Sequence, residues 1–137
     1  MKPEQFIKRY GINEAKKIID KAPNGTTHIH SVTLQNYMQG EGNNYVWCGS
    51  GRDGWYFSIY DTLNGMMALE DLKRLVESFD LIEKLGGYGK CKFYMTGMKL
   101  NKCDSVKCPK TGLIVSRAAL EIAINDYRKS IYGGGDE

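Results

Sequence analysis

Trp55-Tyr56-Phe57-Ser58-Ile59-Tyr60 gathers aromatic and β-branched side chains into six consecutive residues, the composition favoured on a pleated, half-buried strand. Strand side chains alternate between faces. Trp55, Phe57 and Ile59 are therefore expected to face the core, with Tyr56 and Tyr60 on the other side. Just upstream, Tyr45-Val46-Trp47-Cys48 reads as a partner strand, and Gly49-Ser50-Gly51-Arg52-Asp53-Gly54 as the hairpin loop between them. Residues 26–35 (TTHIHSVTLQ) alternate as a further strand, and residues 36–43 are polar and glycine-bearing, as in a loop. Tyr45, Trp47, Tyr56 and Tyr60 are expected to form an aromatic platform on the sheet face turned away from the helices.

Helical patterns flank these strands. In residues 68–85 the apolar side chains Leu69, Leu72, Leu75, Val76, Phe79, Ile82 and Leu85 recur at three and four positions, the stripe of a core-facing helix. Gly86-Gly87 can end it in the left-handed conformation. Residues 3–22 read as two short helical pieces. Pro3 suits a first turn, Gly11 interrupts, Asn13 can cap the second piece, and Ala15, Ile18, Ile19 and Ala22 form its stripe. A last helix is expected over 116–131, capped by Ser116 and lined by Leu120, Ala123, Ile124, Tyr127 and Ile131. Between these, Cys91 to Met95 reads as a short strand and Gly97 to Gly112 as an exposed loop. The expected fold class is α+β: a small antiparallel sheet of three to four strands, packed on one face by two to three helices. One domain over 1–132 and a disordered tail over 133–137 complete the expectation.

Two blocks carry a resemblance. The first runs Phe6-Ile7-x-x-Tyr10-Gly11, Ala15-Lys16-x-Ile18-Ile19-Asp20-x-Ala22-Pro23 and Thr26-Thr27-His28. The second runs from Asp71 to Ser78 and from Leu81 to Gly87. Together they resemble small early-region proteins of temperate phages and prophages of enteric bacteria. The resemblance implies an accessory factor acting in the bacterial host cytoplasm. It carries no catalytic residues onto this chain.

With 137 residues, 42% of them hydrophobic, the chain can bury a core without disulfide staples. No apolar run is long enough to span a membrane, and no membrane partner is expected. MKPEQFIKRYG lacks an apolar signal region, so a cytoplasmic chain with reduced thiols is expected. The net charge of +3 is too mild to define a nucleic-acid protein, but it is unevenly spread. Residues 67–83 hold five acids and two bases, the solvated face of a helix. Residues 84–110 hold seven lysines, no arginine and a single acid, Asp104. Lys90, Lys92, Lys99, Lys102 and Lys107, with Tyr94 among them, are candidates for nonspecific nucleic-acid contact, because lysines neutralise phosphates and aromatic rings stack on bases. The absence of arginine argues against base-specific readout.

Chemistry-bearing motifs are weak. The glycine pattern of residues 49–54 is followed by a strand, whereas a dinucleotide fold requires a helix there. His28 and His30 share one face of a strand but lack a neighbouring carboxylate or serine. Cys103 and Cys108 are separated by four residues, with Cys91 and Cys48 as remote partners, which is not the paired-knuckle spacing of a zinc site. No catalytic residue, cofactor or metal ligand is assigned. The leading expectation is a non-enzymatic accessory protein that binds a host or phage protein, with self-association through the aromatic platform as a variant. Nucleic-acid binding by residues 84–110 is the alternative, and a small metal-dependent hydrolase the remote one.

Overall fold

The computed structural model describes residues 2–49, 51, 53–60, 62–109 and 112–132. The fold is α+β, with one five-stranded and one two-stranded antiparallel sheet. The chain divides into two compact units, Met1–Arg74 and Leu75–Glu137, where the sequence suggested one domain over 1–132. Ser50, Arg52, Lys110 and the expected tail 133–137 lie outside the described residues.

The first unit begins with helices α1 (Pro3–Tyr10) and α2 (Ile12–Lys21). Pro3 occupies the first turn of α1, and the Gln5 side chain accepts the Lys2 N–H at 3.0 Å. Gly11, at φ 95°, ends α1 and starts α2. Asn13 is thus inside α2 rather than its cap. The five-stranded sheet comprises β1 (His28–Ile29), β2 (Asn36–Gln39), β3 (Asn44–Cys48), β4 (Gly54–Phe57) and β5 (Met67–Ala68). Its order is β4-β3-β2-β1-β5, so β4 and β5 are the two edges. Ile29 and Met67 are cross-strand partners and pack with Phe6 and Leu69, covered by Ile18, Ile19 and Ala22 of the α2 segment.

The strand expected over 26–35 stops at Ile29, and the supposed loop contains β2. A turn intervenes. The His30 ring Nδ1 accepts the N–H groups of Val32 and Thr33, both at 3.2 Å, and Leu34 sits at φ 62°. Val32 and Leu34 are exposed rather than aligned with His28 on one strand face.

The second unit holds most of α3 (Leu69–Lys84), then α4 (Tyr88–Asn101), the hairpin β6 (Ser105–Lys107) and β7 (Ile114–Ser116), and α5 (Arg117–Tyr132). The α3 stripe is present as expected, with Leu72, Leu75, Ile82 and Leu85 buried. Gly86 and Gly87, at φ 101° and 108°, end it. The region 88–112 departs from expectation. Cys91, Met95 and Met98 recur at helical spacing and bury one side of α4 among Ile82, Leu85, Cys108, Val115, Leu120 and Ala123. Lys102, at φ 54°, terminates it, and Val106 pairs with Val115 in the hairpin. The Ser116 hydroxyl caps α5 by accepting the Ala119 N–H at 3.1 Å. The buried side of α5 runs Leu120, Ala123, Asp126 and Ser130, leaving Ile131 exposed. The Ser78 hydroxyl donates to Asp126 Oδ2 at 2.7 Å within this interior.

Leu120 is fully enclosed, so Leu120→Ala should lower unfolding free energy by about 2–5 kcal/mol, read by urea denaturation. Ile59→Ser removes an exposed side chain and should change it by about 0.5 kcal/mol or less.

Candidate interaction surface

The register assigns each aromatic side chain of β3 and β4 to a face. Met38 pairs with Tyr45, Tyr45 with Phe57, and Trp47 with Trp55. These side chains therefore share one face, and Ile29–Asn36 pairing makes it the face that carries Ile29. Tyr56 pairs with Val46 and points the other way. The expected platform of Tyr45, Trp47, Tyr56 and Tyr60 is thus divided. Tyr45 and Trp47 lie on the face covered by helices near β1, and Tyr56 lies on the reverse. Tyr60 packs its ring edge-on against buried Tyr37 at 5.9 Å.

The expected core orientation of strand β4 also fails. Trp55 is half-buried, but Phe57 is 72% exposed and Ile59 91% exposed. The cover offered by Phe6 and the α2 stripe lies over Ile29 and Met67, and β4 stands three strands from β1, roughly 14 Å away at normal strand spacing. What remains on β3 and β4 is a ribbon of rings in mutual contact. Tyr45 stacks on Phe57 and Trp47 meets Trp55 edge-on, each pair at 5.4 Å between centroids.

The edge itself has a defined phase. Ser58 N–H donates to Asn44 O at 2.8 Å. In an antiparallel ladder hydrogen-bonded and non-hydrogen-bonded pairs alternate. Asn44–Ser58 and Val46–Tyr56 are accordingly bonded pairs, and the N–H and C=O groups of Trp55 and Phe57 point outward from the sheet. No strand other than β3 pairs with β4 among the described residues.

The lysine-rich segment is a helix and a hairpin rather than a loop. Lys90, Lys92 and Lys99 are exposed on α4, which contains no acid; Lys102 is its cap and Lys107 lies on β6 opposite Ile114. The Lys92 ammonium sits over the Tyr88 ring at 5.3 Å. Tyr94 does not join this surface as a free stacking ring. It is half-buried against the Cys91 and Cys108 cluster, and burial followed by the two thiols pushes its hydroxyl pKa up. Sequence reasoning missed another aromatic array in which Phe79 and Tyr88 flank Tyr127, with centroids at 4.8 and 4.9 Å. Its members come from three helices, so no local pattern announces it.

The remaining candidates do not converge. Cys103 is exposed, whereas Cys108 is buried beside Cys91, whose thiol is pushed up to about 11 by burial and by Cys108. No group of three or more metal-binding side chains occurs among the described residues. His28 Nδ1 contacts the Thr27 hydroxyl at 2.8 Å, while His30 Nδ1 is occupied by its own turn. Burial lowers the His28 pKa, outweighing the opposing pull of Asp71. An open recess of about 360 Å³ is bordered by Lys2, Gln5, Met66 and Asp71. No helix of the described residues is long and apolar enough to cross a membrane. No protein-family model, curated protein or solved structure matches the chain.

A brief iodoacetamide pulse at neutral pH should label Cys103 first and spare Cys91 and Cys108 until the protein unfolds, as mass spectrometry of peptides would show. Because the folded pKa of His28 lies below 6.5, its contribution to stability is complete above that pH and declines as pH falls toward the folded value. His28→Asn should flatten this decline in urea midpoints measured across the acidic range.

Proposed function

We propose that the chain is a non-enzymatic binding module that takes a protein partner at the β4 edge. The outward N–H and C=O groups of Trp55 and Phe57 carry this reading. An extended partner segment can add to such an edge through main-chain hydrogen bonds, while pockets between alternating side chains supply selectivity. Exposed Phe57 and Tyr56 would flank the added strand on opposite faces. An accessory role in the bacterial cytoplasm, with a host or phage protein as partner, is what the resemblance of the two sequence blocks implies. A second copy of the chain would use the same edge.

The two sides of β4 give a selective test. Phe57→Pro deletes an outward N–H and leaves the β3 ladder intact, because an edge residue of this phase tolerates proline. Phe57→Ala deletes only the ring. Affinity capture from a bacterial lysate, followed by titration of the captured protein, should show weaker binding for Phe57→Ala and a further loss of about fivefold to tenfold for Phe57→Pro. Equal binding by the two variants would remove strand addition as the mode.

A further inference from the structure

α4 carries a second surface of different chemistry. Its buried side is Cys91, Met95 and Met98. On the opposite side Phe93 is 66% exposed and Leu100 77% exposed. They are seven residues apart, hence on one line about 10 Å long. Exposed Lys92 and Lys99 repeat the same spacing one residue earlier and form one flank, Lys90 stands on the other flank, and Thr96 lies between. The helix holds no acidic residue. The result is an apolar ridge bordered by cations on both sides.

We propose that α4 docks the protein on an anionic phospholipid surface, with Phe93 and Leu100 entering the boundary between headgroups and acyl chains. Lys90, Lys92 and Lys99 face the lipid phosphates. Charge complementarity selects an anionic occupant, and the apolar ridge selects which one. A nucleic-acid backbone would satisfy the lysines and stack at most on Phe93, leaving Leu100 in water. A lipid interface covers both side chains and satisfies the cations in the same plane. A helix lying in the interface needs no membrane-spanning apolar run.

Flotation of the full-length protein with vesicles provides the test. We expect binding to vesicles of phosphatidylcholine mixed with phosphatidylglycerol, weakening as salt rises, and none to phosphatidylcholine alone. Lys92→Gln and Lys99→Gln should each reduce the partition coefficient by about fivefold. Phe93→Ser with Leu100→Ser should reduce it by tenfold or more, by about the transfer cost of two partly buried side chains. These positions are exposed, so the circular dichroism of each variant should match the parent. Absence of binding to the anionic vesicles at low salt overturns the proposal. So does vesicle binding that the Phe93/Leu100 variant retains in full. Capture of single-stranded DNA without vesicle binding also overturns it and reassigns the lysines to nucleic acid.

Discussion

The Ser58 N–H to Asn44 carbonyl bond at 2.8 Å sets the phase of the open sheet edge. The same asparagine is buried and donates its side-chain amide to the Tyr60 carbonyl at 3.2 Å. An unmade buried amide bond costs about 1–3 kcal/mol, so a shift of pairing at this point is resisted from both the main chain and the side chain. Phase matters because strand periodicity is two. A slip by one residue would move Trp55 and Phe57 to the other face and turn the outward backbone groups over to Tyr56. The aromatic contacts Tyr45–Phe57 and Trp47–Trp55 exist only in the observed register.

Helices α3 and α5 were legible because their burial stripes are long and little interrupted, and because Ser116 is a local cap that acts as such. The end of the α5 stripe differs by one position from the sequence pattern. Ser130 is buried where Ile131 was expected, and Asp126, one turn earlier on the same side, accepts the Ser78 hydroxyl. Helix α4 was not legible. Its Cys91, Met95 and Met98 follow helical spacing, but Lys90, Lys92, Phe93 and Gly97 dilute the signal, and its burial comes from Leu120, Ala123 and Val115, distant in sequence. The turn after β1 was hidden for a related reason. It is made by a histidine ring and a left-handed leucine, neither of which belongs to the usual turn chemistry.

Alternation along Trp55 to Phe57 reports which side chains share a face, and that part is legible in the sequence, but the strand expected to reach Tyr60 ends at Phe57. Alternation does not report what covers the face. Trp55 is partly enclosed because Trp47 lies beside it and the chain at Gly25 passes close: a Cβ there would stand 3.2 Å from the Met38 sulfur and 3.5 Å from Trp55 Nε1. Gly25 also has φ 99°, so both its space and its backbone favour glycine. Phe57 lies two residues along the edge strand and Ile59 beyond its end, and both are exposed. The aromatic content that suggested a core strand therefore ends as exposed surface.

Exposed apolar groups on the two units are guarded in different ways. On α4 the ridge is bordered by lysines, which discourage self-association while leaving an anionic surface as a suitable counterpart. On β4, Gly54 to Phe57 contains no lysine and no proline, the residues that usually blunt an open edge. Shortness is its remaining protection, since four residues offer outward bonds at only Trp55 and Phe57. A short edge is too weak to hold a partner by backbone bonds alone, given about 0.5–1.5 kcal/mol net for each. In the proposed mode, ring contacts would supply the rest. The stacked Tyr45–Phe57 pair lies directly beside those outward bonds, so the hydrogen-bonding and apolar parts of the surface can engage one extended segment together.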